Sequence, residues 1–154
     1  MVVRLKNIRE KKDLTQQKVA DILGISKTNY NYFENEERII PLKHLNNYCN
    51  IFNMSMDYIF GLTNENVINK ENIILNRELI GKRIREIREN KKLTQSKLAK
   101  ILNTSQSTIS SYENGETLIL TSFLYELCKR LDVSMDYITG RSNVIKRFNS
   151  NNYY

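Results

Sequence analysis

The chain has 154 residues, with 24 Lys and Arg against 17 Asp and Glu, and a net charge of +7. That length holds one medium domain or two small ones, and the modest, evenly spread excess favours an anionic partner without selecting nucleic acid by itself. No apolar run is long enough to span a bilayer, no signal-peptide pattern appears, and Cys49, Cys128 and the single His44 form no metal-ligand spacing, so a soluble, intracellular, metal-free protein is expected.

Taken in order, the chain shows helix-period apolar patterns, one proline and no tryptophan, which predicts an all-α class. Helices are expected over 2–11, 15–22, 26–33, 42–52 and 55–60. Residues 62–78 follow as a polar, Asn-rich linker around the apolar patch Ile73-Ile74-Leu75. Read as a flexible coil, about 17 residues give an r.m.s. span of roughly 20–25 Å. Five more helices are expected over 80–90, 94–101, 105–112, 121–131 and 134–139. The tail 141–154 carries Arg141, Lys146 and Arg147 ahead of an Asn- and Tyr-rich end; it is expected to be disordered, or to add phosphate contacts.

The two halves are copies. A shift of 79 residues carries Leu14-Thr15-Gln16 onto Leu93-Thr94-Gln95 without a gap, and Arg9 onto Arg88. It also carries Cys49 onto Cys128, Ser55-Met56-Asp57-Tyr58-Ile59 onto Ser134-Met135-Asp136-Tyr137-Ile138, and Gly61 onto Gly140. Of the 58 positions in 4–61, 25 are identical in 83–140, so the halves share a fold. A module of about 60 residues has little core to spare. That core is assigned to Leu5, Ile8, Leu14, Val19, Ile22, Leu23, Leu45, Phe52 and Ile59 with their counterparts. The paired cysteines read as small buried residues. Ser55 and Ser134 are cap candidates, with Asp57 and Asp136 placed to suit the dipole of the same short helix.

Within each copy the segment with most information is the pair of short helices, clearest at Leu93–Gly115. Thr94 caps the first, Asn103 suits a turn needing positive φ, and Ser105 caps the second. Ile109 and Tyr112 face inward, leaving Gln106, Ser107, Thr108, Ser110 and Ser111 outside as short donor–acceptor side chains suited to base edges. The run L-T-Q-x-x-L-A, eleven residues, then Y-E-N-G resembles the phage-repressor family of helix-turn-helix proteins, of Cro/XRE type. The resemblance implies two tandem five-helix lambda-repressor-like domains, 1–61 and 79–140, and a cytoplasmic, nucleoid-associated DNA-binding regulator without a cofactor.

Carried over position by position, the resemblance assigns base contacts to Lys27, Thr28 and Tyr32 in the first copy and to Gln106, Ser107 and Ser111 in the second. It assigns phosphate contacts to Gln16, Asn35, Gln95 and Asn114, and bracing ion pairs to Arg9 with Glu34 and Arg88 with Glu113. Tyr30 aligns with Ile109 and is expected in the core.

The copies part company at the second helix of this pair. None of the seven positions 27–33 matches its counterpart in 106–112, although the flanking Ser26/Ser105 and Glu34/Glu113 do. That pattern predicts a retained scaffold with two different reading surfaces, and therefore an asymmetric composite DNA site, with homodimerisation left open. The first copy also has Glu36 where the second has Gly115, and a bulky Tyr32, so it is expected either to bind DNA weakly or to contact a protein. The function expected is a sequence-specific repressor of transcription. The alternative is an antitoxin or anti-repressor whose first module binds a protein partner. No nucleophile–base pair or phosphate-binding glycine loop supports an enzyme.

Overall fold

The computed structural model describes residues 1 and 3–146, all of whose regular elements are helical. The first module contains α1 (Leu5–Lys11), α2 (Gln16–Leu23), α3 (Lys27–Glu34), α4 (Leu42–Phe52) and α5 (Met56–Ile59). The second repeats them as α6 (Arg77–Asn90), α7 (Gln95–Ile101), α8 (Gln106–Glu113), α9 (Thr121–Leu131) and α10 (Met135–Ile138). Most starts are set by side-chain caps. Thr15, Ser26, Ser55, Thr94, Ser105 and Ser134 each accept from the N–H three residues on, at 3.0–3.2 Å. Asn76 does the same for Leu79, so α6 starts at Arg77 and runs for 14 residues, whereas α1 has 7.

Leu5, Ile8, Val19, Leu23, Leu45, Phe52 and Ile59 are buried together, as are their second-copy counterparts. Leu14 is half-buried against that core. Ile22, expected inside, is 39% exposed. At about 100° per residue, the buried stripe of α2 centres on Val19, Ala20 and Leu23, which leaves Ile22 at its edge. Cys49 and Cys128 are free thiols in the core, and burial pushes the Cys49 thiol well above its usual range.

The modules pack against each other through α5 and α10. Asp57 and Asp136 lie in the first turns of their own helices, as expected, but each carboxylate also caps the other module's helix. Asp136 accepts from the N–H groups of Met56 and Asp57, both at 3.0 Å. Asp57 accepts from the Met135 N–H at 2.8 Å and the Ser134 hydroxyl at 2.5 Å. The near two-fold reciprocity of the contact follows from the repeat. Around it, Met56 and Met135 are fully buried, Phe60 packs on Tyr125 with ring centroids 5.7 Å apart, and the Thr121 hydroxyl donates to the Ile40 carbonyl.

The connecting segment is not a free coil. The Asn66 carboxamide oxygen accepts from the Ser55 N–H, Asn69 donates to Ser142 and Lys70 to Asn143. Asn46 and Asn50 both donate to the Ile73 carbonyl, and Asn50 accepts the Ile73 N–H in return. An Asn-rich stretch reads as a solvated linker because its carboxamides have no visible partner in sequence; folded, those of Asn64, Asn66, Asn69 and Asn76 each find one.

The start of the tail is likewise packed. Arg141 is only 3% exposed, lies 3.4 Å from Asp136, and donates to the side-chain oxygens of Asn46 and Asn50. It is a strut between modules and has no surface for phosphate. The Ile145 carbonyl accepts from the Ser134 N–H. Lys146 is exposed, and Arg147 with the Asn- and Tyr-rich end lies outside the described residues.

Candidate nucleic-acid interface

In the second module the turn between α7 and α8 passes through Asn103 at φ 53°, and Leu98, Ala99 and Ile109 bury the crossing. In the first, the same turn uses Gly24 at φ 68°, with Val19, Ala20 and Tyr30 inside. The crossing therefore fixes which face of α3 and α8 is free. Lys27, Thr28, Gln106 and Ser107 are exposed on it, and Tyr32 and Ser111 are half-buried beside them. Tyr32 is stacked under the Arg38 guanidinium, 4.6 Å from the ring centre. The Ser111 hydroxyl donates to Glu116 at 3.1 Å.

Behind this face each module holds the same braced triad. Arg9 Nε meets Glu34 Oε1 at 2.5 Å, Arg9 also donates to the Leu14 carbonyl, and Gln16 donates to Glu34 Oε2 at 2.9 Å. Arg88, Glu113, Leu93 and Gln95 reproduce these contacts at 2.5, 2.7 and 2.9 Å. Burial works against the ionised form of both glutamates, yet donation from arginine and glutamine outweighs it and holds both carboxyls below their usual range. The free oxygen of each glutamine points to the second helix. Gln16 accepts from Asn31 at 3.3 Å, and Gln95 from Gln106 at 3.5 Å. The triad thus orients a glutamine at the rim of the exposed face.

The caps after α3 and α8 differ. Asn35 donates to Asn31, and Asn114 accepts from Arg85 at 2.8 Å while its own amide reaches Ser110. Gly115 has φ 71°, and a Cβ there would lie 3.1 Å from the Glu78 backbone at the start of α6, so the long helix requires glycine. The shorter α1 leaves room for Glu36, which adopts φ 59° and whose carboxylate accepts the Val3 N–H at 3.1 Å. Glu36 is therefore partly committed to the N-terminal segment.

Sequence reasoning missed Arg4, Arg83 and Arg85. Arg4 stacks on Tyr58 and donates to the Tyr58 and Thr63 carbonyls and to Asn64. Arg83 stacks on Tyr137 and donates to the Tyr137 and Ser142 carbonyls and to Asn143. Recurrence at the 79-residue shift was their signal. Arg85 stands where the first copy has Lys6, a recurring cation, and donates to Glu113 and to Asn114.

The family model for helix-turn-helix proteins matches the chain twice, at residues 5–59 and 84–138. Over 68 residues the chain is 43% identical to the HTH-type transcriptional regulator YqaE of Bacillus subtilis, covering 44% of this chain and 59% of that one. Over 67 residues it is 33% identical to Antitoxin PezA of Streptococcus pneumoniae, covering 44% and 42%. The P22 c2 repressor, solved with a synthetic operator, aligns at 35% identity and a TM-score of 0.39, covering 41% of this chain and 96% of that one. The chain spans about half the length of the curated relatives it matches. With two matches that together take in most of its residues, the chain belongs to the helix-turn-helix family of Cro/XRE type and carries that module in tandem.

Proposed function

We propose that this chain is a sequence-specific double-stranded-DNA-binding repressor of transcription, reading an asymmetric composite site with α3 at one half and α8 at the other. One observation carries the reading: two helix-turn-helix units braced by the same arginine–glutamate–glutamine triad present exposed polar faces on helices whose residues differ at every position from 27 to 33 against 106 to 112. Lys27 suits a guanine edge and Gln106 an adenine edge, each worth roughly 1–3 kcal/mol of discrimination. Thr28, Tyr32, Ser107 and Ser111 complete the two reading surfaces, while Gln16, Asn35, Gln95 and Asn114 contact phosphate and set register. Arg85 adds a cation beside Asn114, and Glu36 removes favourable potential from the first module. The second module therefore binds more tightly. Because the modules pack as one body, a single chain fills both half-sites and represses by covering a promoter.

Selection from a random duplex pool tests this, combined with the stoichiometry of the selected complex. A non-palindromic consensus bound by one chain is expected. A palindrome would overturn the asymmetric reading, and no enrichment at all would overturn DNA recognition. The slope of log K against log salt should be about −4 to −8. The likeness to an antitoxin favours a second reading, in which the first module holds a protein partner; binding that ignores salt would favour it.

A further inference from the structure

Between α4 and the connecting segment lies a cavity of about 440 Å³, large enough for a small ligand. One wall is rigid: Asn46 and Asn50 are fully engaged by the Ile73 peptide and by Arg141. The rim is amphipathic. Lys43 and Arg77 supply two cations, while Ile74 and Leu118 supply apolar surface. Neither cation has an ion-pair partner among the described residues; Arg77 donates to the Glu116 carbonyl. Ile74 is 89% exposed although the residue before it is pinned. An apolar side chain held out at the mouth of a two-cation cavity needs a ligand with both characters.

We infer that this cavity binds a small amphipathic anion, a carboxylate with an aliphatic or aromatic body, and that it is an effector site. The carboxylate meets Lys43 and Arg77, and the body lies on Ile74 and Leu118. The cavity draws its walls from the first module, the connecting segment and the Leu118 loop of the second module. A ligand seated there favours the packed arrangement over any in which the segment lifts away, by the ordinary linkage of binding to conformation. The effector role rests on the DNA-binding reading. The binding itself does not.

The test uses the full chain, isotope-labelled, titrated with octanoate and, separately, with 1-octanol and acetate. Saturable shifts at the backbone amides of Ile73, Ile74, Leu75 and Leu118 are expected with octanoate. Binding of either comparison probe should be at least about tenfold weaker, since each lacks one half of the recognition. Lys43→Glu, an exposed substitution that spares the fold, should remove most of the difference between octanoate and 1-octanol. Absence of saturable shifts at those amides would overturn the site, and so would equal binding of octanoate and 1-octanol. If the site binds octanoate while affinity for the selected duplex is unchanged, the effector role falls and the site stands. Failure to select any duplex sinks the DNA reading without touching the titration.

Discussion

Glu34 and Glu113 have side chains wholly closed from solvent, each facing an arginine that is itself about one-eighth exposed. Removing the cation strands a buried carboxylate, which is costlier than the pair is worth. Arg9→Ala should therefore destabilise the chain by about 3–5 kcal/mol in urea unfolding, and Arg88→Ala should cost less, because Arg85 Nε also lies 3.4 Å from Glu113 and remains as a partner. Because both glutamates have folded-state values below the ordinary 4.5, their contribution is present above that value and is lost as pH falls below it. Acid titration should accordingly show stability falling below that value in the intact chain, and a smaller fall, from a lower starting stability, in chains lacking Arg9 or Arg88. These pairs were legible because both partners are charged side chains that recur at one spacing. Arg4 and Arg83 recur equally, but their partners are mostly carbonyl oxygens, which leave no mark in a sequence. The glutamines were legible as positions only; that they first hydrogen-bond a glutamate, and orient from there, needed coordinates.

At the scale of helices, α3 and α8 carry the asymmetry and α6 carries a packing constraint. If α8 reads one half-site alone, Gln106→Ala with Ser107→Ala should relax base preference there by roughly 1–3 kcal/mol per lost contact and leave the other half-site unchanged. Mobility shifts against a panel of single-base variants measure this, and equal loss at both halves would refute independent readers. The packing constraint sits at Gly81, in the first turns of α6. A Cβ there would lie 2.6 Å from the Glu113 carbonyl oxygen and closer still to that of Tyr112. Gly81→Ala must push α6 off the end of α8, so a loss of about 1–3 kcal/mol is expected in thermal unfolding, with the triad loosened as well. Helix centres and caps were readable because apolar spacing and Ser or Thr caps are local. The early start of α6 was not, since Asn76 lies in a polar run where nothing nearby singles out one asparagine as a cap. The long α6 in turn explains the glycine at 115, a difference between copies that reads in sequence only as a change of charge.

For the molecule as a whole, the decisive contact is the buried pair Asp57 and Asp136 at the join between modules. Burial is the main force pushing the Asp57 carboxyl up, to about 7; the charge of Asp136 and a hydrogen bond to it add to this, and donation from Ser134 and Met135 opposes it. Among the described residues, Arg141, 3.4 Å from Asp136, is the cation placed on the pair. An acid whose folded value lies above its unfolded 3.8 binds protons more readily when folded. Its contribution is complete below the unfolded value and is lost as pH rises through the folded one. The packed arrangement should therefore be firmer near pH 6 than near pH 8.5, a direction opposite to that of the two glutamates and separated from theirs on the pH scale. Asp57→Asn fixes the neutral form, so it should flatten the dependence between those two values while lowering stability at both, because one acceptor at the Ser134–Met135 end is lost. Unfolding midpoints of the two chains across this range measure the effect, with His44, the only histidine, unchanged in both. Firmness that instead increases from pH 6 to 8.5, and does so equally in Asp57→Asn, would mean that some other group governs the join. The reciprocal carboxylate caps would then be only static struts between two modules.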